Sequence, residues 1–370
     1  MLLHQLAAPA KIYIDITAKC NLRCIYCYHF DSPSAVLKDC STAEWTSFIE
    51  EASRAGVMSF NISGGEALLR PDLFEILEAV GRNRIRYELV TNGLLLTADH
   101  AAKLAAGRRC DFVQISLDGP EAVHDAARGR GSYAGAVRAI NHLREHGVPV
   151  RIRATIGKHN LGTLEETAAL FFDELGLKSF TTNCVAIEGL CHKEARNLEL
   201  SLDDLLYSIE EHRRVLERYP GRLLSSTGPW GLYLKWRALY HAWESKSSRG
   251  CYAGHLGGCG AVFKQMGVRA DGVMVPCVQL PEYEMGRINE TPLLEAWNNS
   301  LNMVRIRRRR EVELSIFPEC RDCEYMGYCF GGCPANSAVD EHDRGKKVCK
   351  FCLKDIANHL GSAELKHFLA

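Results

Sequence analysis

The chain has 370 residues, a length that suggests two or three domains and a large core. Lys+Arg and Asp+Glu balance at 45 each, so no global field draws it to nucleic acid or an anionic membrane. No apolar run reaches a membrane-spanning length, and residues 1–10 lack the basic start and apolar core of a signal peptide, so the expected location is the cytoplasm. Sixteen cysteines then become informative, because cytosolic thiols stay reduced and clustered ones read as metal ligands.

Lys11 to Thr17 alternates apolar and polar residues and reads as a strand feeding Cys20-Asn21-Leu22-Arg23-Cys24-Ile25-Tyr26-Cys27. The C-x3-C-x2-C spacing can close three thiolates around one centre and differs from a zinc-knuckle pair and from plant-type ferredoxin spacing. Three ligands leave one iron of a 4Fe–4S cluster open for chemistry, whereas scattered buried thiols would be the bland reading. Ser41 to Glu44 is a capping-box start to a helix carrying Trp45, Phe48, Ile49 and Ala52 on one face. Val57 to Ile62 is a second strand ending in Ser63-Gly64-Gly65-Glu66, where the glycines permit close backbone approach to a ligand and Glu66 offers a charge for an ammonium. Pro71 then opens a helix with Leu73, Ile76, Leu77 and Val80 on one face.

Ile85 to Val90 is a third strand, ending in Thr91-Asn92-Gly93, and Asp111 to Leu117 a fourth, ending in Asp118-Gly119-Pro120. A helix over Tyr133 to His146, a strand over Val150 to Ile156, a helix over Leu161 to Leu175 and a strand over Lys178 to Asn183 complete six strand–helix units. Such alternation predicts right-handed parallel βαβ units with functional groups at the strands' C-terminal ends. Six units make a partial (β/α)6 barrel. Residues 201–245 read as an amphipathic helical connection with Leu205, Ile209, His212 and Leu216 in phase, and the run Arg305 to Arg310 as a solvated helix face.

Nine cysteines lie between Cys251 and Cys352. Cys320-x2-Cys323-x5-Cys329-x3-Cys333 is too dense for core packing, with Cys259, Gly272 and Cys277 upstream and Cys349 and Cys352 downstream. Two four-cysteine zinc sites are the competing reading, since thiolate sites accept either metal. Cys40, Cys110, Cys184 and Cys191 have no partners at metal spacing and read as core thiols, while Tyr28 and His29 either line the site or cover the cluster loop.

On Cys20, Cys24, Tyr26 and Cys27, together with the strand-end Gly64-Gly65-Glu66, the chain resembles the radical S-adenosylmethionine (radical SAM) superfamily. The resemblance implies an α/β fold, a partial (β/α)6 TIM-like barrel, and a 4Fe–4S cluster on the three cysteines. S-adenosylmethionine would be contacted by Tyr26, Ser63, Gly64, Gly65, Glu66, Asn92, Ser116 and Asp118. Its carboxylate would meet Arg128 or Arg153, although either arginine could instead form a rim ion pair. Reductive cleavage to a 5′-deoxyadenosyl radical and abstraction of a substrate hydrogen are the implied chemistry.

The back half resembles the SPASM domain, whose members carry two auxiliary 4Fe–4S clusters. Carried over, Cys259, Cys277 and Cys333 hold the first with Cys251 as fourth ligand, and Cys320, Cys323 and Cys329 hold the second, closed by Cys349 or Cys352. The expected division is a barrel over 1–200, a helical connection over 201–250, the SPASM domain over 251–352 and a terminal helix over 353–370.

Within this family the stretches Thr227 to Trp230, Gly267 to Cys277 and Cys323 to Ala335 are similar to peptide maturases of ribosomal natural-product clusters. A ribosomal precursor peptide is the implied substrate, with excision of a tyramine unit at a Tyr-Gly site as the specific expectation. Epimerisation, thioether formation and carbon–carbon crosslinking compete with it. Nineteen residues before Cys20 are too few for a leader-recognition domain, so a separate recognition protein is expected as partner, together with a flavodoxin or ferredoxin as electron donor. The alternatives are a sulfatase-type formylglycine maturase and a non-catalytic zinc-binding interaction module.

Overall fold

The computed structural model describes residues 5–29, 38–186, 195–225, 227–257, 259–335 and 348–370. Cys191 and His192 lie outside these residues. The strands are β1 Lys11–Asp15, β2 Ser59–Ser63, β3 Arg86–Thr91, β4 Cys110–Ser116, β5 Val150–Ile156 and β6 Phe180–Cys184, joined in sequence order and parallel throughout. The six strand–helix units read from periodicity are therefore present. Alternate positions divide the sheet. Ile12, Ile14, Phe60, Ile62, Leu89, Ile115 and Ile152 are buried in the main core with the helices. On alternating positions Lys11 pairs with Glu88 at 2.6 Å, and Asn61 donates to the same carboxylate at 2.8 Å.

Helix α1 (Thr42–Arg54) starts at the expected capping box, with Glu44 accepting from the Ser41 amide at 2.8 Å. Helices α2 (Leu73–Arg82), α3 (Ala98–Gly107), α4 (Glu121–Arg128) and α5 (Ser132–Glu145) follow β2, β3 and β4. The helix expected over 161–175 is α6 (Leu164–Ala169) continued by a wider π turn over Leu170–Glu174. It begins later than expected because Asn160 closes the preceding turn, accepting from the Gly157 amide at 3.0 Å.

Residues 201–245 are two helices, Leu202–Arg218 and Gly228–Glu244, and they do more than connect. The segment between them covers the free edge of β6. The Phe180 amide donates to the Arg222 carbonyl at 3.1 Å, the Leu224 amide to the Phe180 carbonyl at 2.9 Å, and the Thr182 amide to Ser225 Oγ at 2.7 Å. An edge that would otherwise invite pairing is thereby satisfied.

The cysteine-dense half is built into the same sheet. Strand β7 (Gln265–Val268) pairs parallel with β1, and β8 (Met274–Val275) pairs antiparallel with β7, giving the order β6-β5-β4-β3-β2-β1-β7-β8 among the described residues. One apolar core runs through both halves. The basic run also differs from its expected solvated face, since Arg305 and Arg308 are exposed but Arg307 and Arg309 are buried. Arg307 lies 4.2 Å above the Trp297 ring and donates to the Val262 and Trp297 carbonyls at 2.9 and 2.6 Å, so its charge is used inside the fold. No described helix is long and apolar enough to cross a membrane.

Candidate active site

The loop after β1 is held from three sides. Asp39 accepts from Thr17 Oγ1 at 2.6 Å and the Ala18 amide at 2.8 Å, and His29 Nε2 meets the Ala18 carbonyl at 2.9 Å. The Ile25 amide donates to the Ala127 carbonyl at 3.0 Å, which fixes the loop to α4. His29 is buried, so it covers the loop. Within it the Cys27 amide donates to the Cys24 carbonyl at 3.0 Å and the Leu22 amide to Cys20 Sγ at 3.4 Å.

The three thiols lie close enough to act on one another. Burial pushes Cys24 up to about 11, Arg128 opposes this, and Cys27 and Cys20 push it further up. Burial likewise raises Cys20, with Cys27 adding to it. Three neighbouring thiols are the donor set that a multiply charged iron centre turns into thiolates, including Cys20 and Cys24, which resist ionisation unaided, so the residues fit such a centre.

Gly64 and Gly65 approach the chain itself. A Cβ on Gly65 would stand 2.1 Å from the Lys19 carbonyl oxygen, and one on Gly64 would stand 2.4 Å from that of Thr17. The Gly65 amide donates to the Thr17 carbonyl at 2.8 Å and the Glu66 amide to the Lys19 carbonyl at 2.7 Å. The close approach expected at a ligand is thus a docking of the β2 end on the cysteine loop. Glu66 is 2% exposed, and its carboxylate accepts from Thr91 Oγ1 at 2.6 Å, the Asn92 amide at 2.8 Å and the Leu68 amide at 3.0 Å. Burial raises its pKa and those three donors oppose the rise. Asn92 Nδ2 donates to Asn21 Oδ1 at 2.8 Å, tying the β3 end to the cysteine loop.

Asp118 gathers the β4 and β5 ends. It accepts from Arg128 Nε at 2.6 Å, Arg128 Nη2 at 3.3 Å, the Thr155 amide at 2.9 Å and the Tyr26 hydroxyl. Burial opposes its ionisation, but the Arg128 charge and these donors bring it down to about 2. The Arg128 fork expected to meet a cofactor carboxylate therefore meets Asp118.

Ser116 and Arg153 face each other in register on β4 and β5, and neither side chain has a hydrogen bond or ion pair among the described residues. Arg153 Nε is buried without a partner, and burial lowers the pKa while Tyr13 and Tyr28 oppose the drop. Ser63 donates to Asp15 Oδ1 at 3.1 Å.

Sequence reasoning missed three neighbours. Asp15, the last residue of β1, is buried and raised by burial, with His29 and Ser63 opposing. His159 stacks on Tyr26 at 5.1 Å with neither ring nitrogen bonded, and Asn160 donates to the Asp118 and Thr155 carbonyls at 3.2 and 2.9 Å. All lie at or just after strand ends, the same positional signal that exposed the other motifs.

In the back half, Cys320, Cys323, Cys329, Cys349 and Cys352 line one cavity of about 170 Å³. Burial raises Cys320 to about 12, and Glu319, Cys329, Cys349 and Cys323 add to it. Five thiols around a cavity of that size fit a polynuclear cluster; among the described residues no three such groups close on a single ion. Cys333 is also near enough to act on Cys259, adding to the rise that burial causes there. Cys251 is exposed and Cys277 half-buried against the main core. Cys40 is buried, and burial pushes Cys110 and Cys184 up to about 12, in keeping with core thiols.

Comparison with known proteins agrees with this geometry. The Radical SAM superfamily model matches residues 14–171, and the SPASM iron–sulfur cluster-binding domain model matches residues 259–324. The AdoMet-dependent heme synthase of Methanosarcina barkeri is 29% identical over 89% of this chain and 92% of its own length. The PqqA peptide cyclase of Ruegeria pomeroyi is 27% identical over 88% of this chain and 82% of its own. The crystal structure of Streptococcus suis SuiB bound to precursor peptide SuiA superposes with a TM-score of 0.70 at 18% identity, covering 94% of this chain and 77% of that one. The chain belongs to the radical SAM superfamily and carries a SPASM iron–sulfur cluster-binding domain behind its partial barrel.

Proposed function

We propose that this chain is a radical SAM enzyme that modifies a ribosomally made precursor peptide. The observation that carries the catalytic part is the meeting of Cys20, Cys24 and Cys27 with the ends of β2, β3 and β4 at one mouth of the sheet. Cys20, Cys24 and Cys27 would hold a 4Fe–4S cluster with one iron left to the cofactor. When bound, cluster and S-adenosylmethionine supply a 5′-deoxyadenosyl radical that takes a substrate hydrogen.

The chain's own residues orient and enclose. Arg153, with its unbonded Nε, and Ser116, in register beside it, suit the cofactor carboxylate. A carboxylate offers about four lone-pair sites, so Glu66, after three donors, keeps one for an ammonium. Tyr26 and His159 form a stacked wall between the cysteine loop and the β5 end that excludes water.

Two auxiliary clusters complete the assignment, one at Cys259, Cys277, Cys333 and Cys251, the other at Cys320, Cys323, Cys329 and Cys349. Cys349 is chosen because Cys329 and Cys320 act on it directly, whereas Cys352 opens the helix Leu353–Leu360 and gives its amide to Asp355 at 3.1 Å.

The peptide substrate is supported by the peptide cyclase relative and the likeness to SuiB with its precursor peptide. Excision of a tyramine unit is the specific modification proposed, and a separate leader-recognition protein and a flavodoxin or ferredoxin are the proposed partners. The heme synthase relative, near full length, favours a second reading, a heme-forming reaction. Anaerobic turnover with reductant, S-adenosylmethionine and candidate peptides tests these together. Loss of a tyramine mass supports excision, loss of two hydrogens supports crosslinking, and an unchanged mass with altered chirality supports epimerisation. Formylglycine on a sulfatase peptide would support the sulfatase reading, and turnover of a porphyrin alone would refute peptide modification.

A further inference from the structure

The short segment from Asp39 to Glu44 bridges the two halves of the molecule, reaching to one side and then the other. Toward the front, Asp39 accepts from Thr17 Oγ1 at 2.6 Å and the Ala18 amide at 2.8 Å, and Thr42 Oγ1 donates to the Asp72 carboxylate. Asp72 pairs with Arg70 at 2.8 Å, and Arg70 Nη1 donates to the Ile16 carbonyl at 2.9 Å. Toward the back, the Cys40 amide donates to the Ala270 carbonyl at 2.8 Å. Arg287 pairs with Glu44 at 2.5 Å, and its Nη2 lies 3.6 Å from Cys40 Sγ. Asn289 Nδ2 donates to the Glu44 carbonyl at 3.0 Å. The turn between β7 and β8 packs directly on this segment, since a Cβ on Gly272 would stand 2.8 Å from Cys40 Sγ.

Ile16, Thr17 and Ala18 lead into the cysteine loop. The Thr17 hydroxyl gives its hydrogen to Asp39 and accepts from the Lys19 amide at 3.1 Å, so one carboxylate fixes the backbone just ahead of Cys20. A shift there moves the loop that carries the three thiols, and a misplacement of about 1 Å costs about a hundredfold in rate. The Arg287–Glu44 pair is 33% and 34% exposed, and such pairs add little to stability. It fixes a position instead. Glu44 also accepts from the Ser41 amide and hydroxyl at 2.8 Å each, so Arg287 holds the turn that follows Cys40.

Resting on the assignment of the front cluster to Cys20, Cys24 and Cys27, we propose that Asp39 is a positioning residue for that cluster and that the back half sets its place through Arg287. The SPASM half thereby acts on S-adenosylmethionine cleavage without touching the cofactor.

Formation of 5′-deoxyadenosine by the reconstituted full chain, with dithionite and S-adenosylmethionine alone, tests this. Iron analysis, thermal melts and electron paramagnetic resonance of the reduced front cluster, with and without S-adenosylmethionine, accompany it. Arg287→Met should keep its iron and melt near wild type, while its rate falls about tenfold, a part of the loss that misplacement causes. The spectral change that S-adenosylmethionine causes in the front cluster should shrink with it. Arg287→Lys, which keeps a charge for Glu44, should recover part of the rate. Glu290→Gln removes the other carboxylate on Arg287, 3.0 Å away, and should match wild type. Asp39→Ala should keep its auxiliary iron and lose at least as much rate as Arg287→Met. The double variant Asp39→Ala/Arg287→Met should be no slower than Asp39→Ala, because both act through one contact.

A wild-type rate in Arg287→Met overturns the proposal, as does an equal fall in Glu290→Gln. Additive losses in the double variant overturn it too, since Arg287 would then act by another route. Loss of about four irons confined to Asp39→Ala supports it, because the loop then fails to hold its cluster, whereas iron loss from every site marks a general brace and overturns it. If the wild type forms no 5′-deoxyadenosine, the function proposed above fails and the inference falls with it.

Discussion

Asp118 and Arg128 form a buried ion pair, Nε to Oδ2 at 2.6 Å, that joins the end of β4 to the end of α4 directly behind the cysteine loop. The same carboxylate receives the Tyr26 hydroxyl and the Thr155 amide, so one charged group fixes the loop, the helix and β5. Removing one partner of a buried pair leaves an uncompensated charge. Asp118→Ala should therefore cost about 3 to 5 kcal/mol. Anaerobic thermal melts should show the double variant Asp118→Ala/Arg128→Met recovering part of the loss; a double variant no better than the single one contradicts the pairing.

Gly65 tests how the front cluster is supported. Its missing Cβ lets the β2 end dock on Lys19, and alanine there would meet a backbone oxygen at 2.1 Å, where only main chain can yield. Overpacking of this kind costs about 1 to 3 kcal/mol, and here the strain falls on the cysteine loop. Gly65→Ala should lose about four irons, the front cluster, while retaining the auxiliary iron. Full iron content in this variant would show that the docking is dispensable.

Cys349 and Cys352 should behave differently although they line the same cavity. Cys349→Ala should lose about four irons, whereas Cys352→Ala should keep them and lose about 1 kcal/mol or less from the start of its helix. Iron analysis beside a thermal melt reads both, and the reverse pattern would assign the ligand to Cys352.

Acid stability should respond to His212, which is 0% exposed between the Ser208 carbonyl at 2.6 Å and Thr182 Oγ1 at 3.0 Å. Burial pushes its pKa from 6.5 down to about 4, with the Ser208 carbonyl opposing. The folded state thus resists a proton that the unfolded state accepts, so stability is whole above pH 6.5 and is lost as pH falls toward about 4. The loss should approach about 3 kcal/mol. His212→Gln should narrow the gap between melting temperatures measured near neutrality and near the bottom of that window; an unchanged gap would assign the acid sensitivity elsewhere.

The strand ends were the most legible part of the molecule. Alternation marked all six barrel strands within two residues at either end, and each motif residue from Cys20 to Asp118 falls at a strand's C-terminal end. Partnership was not legible, because residue type does not say which neighbour is nearest. Arg128 and Arg153 looked equivalent as carboxylate ligands, yet one is taken by Asp118 and the other keeps an unbonded Nε. Gly64 and Gly65 were read as permitting close approach to a ligand, and pattern did not show that their Cβ sides face Thr17 and Lys19. The inward turn of Arg307 depends on Trp297 and Val262, which pattern alone does not bring together. The pairing of β7 with β1, over two hundred residues apart in the chain, has no local signal at all.

The loop after β1 is proposed to carry an iron–sulfur cluster that activates S-adenosylmethionine. Its most direct test is anaerobic iron and sulfide analysis of the reconstituted wild type beside a Cys20→Ala/Cys24→Ala/Cys27→Ala variant, with 5′-deoxyadenosine measured in both. About twelve irons should fall to about eight, with 5′-deoxyadenosine from the wild type alone. Stoichiometric zinc with little iron, or equal iron in the two proteins, would contradict it.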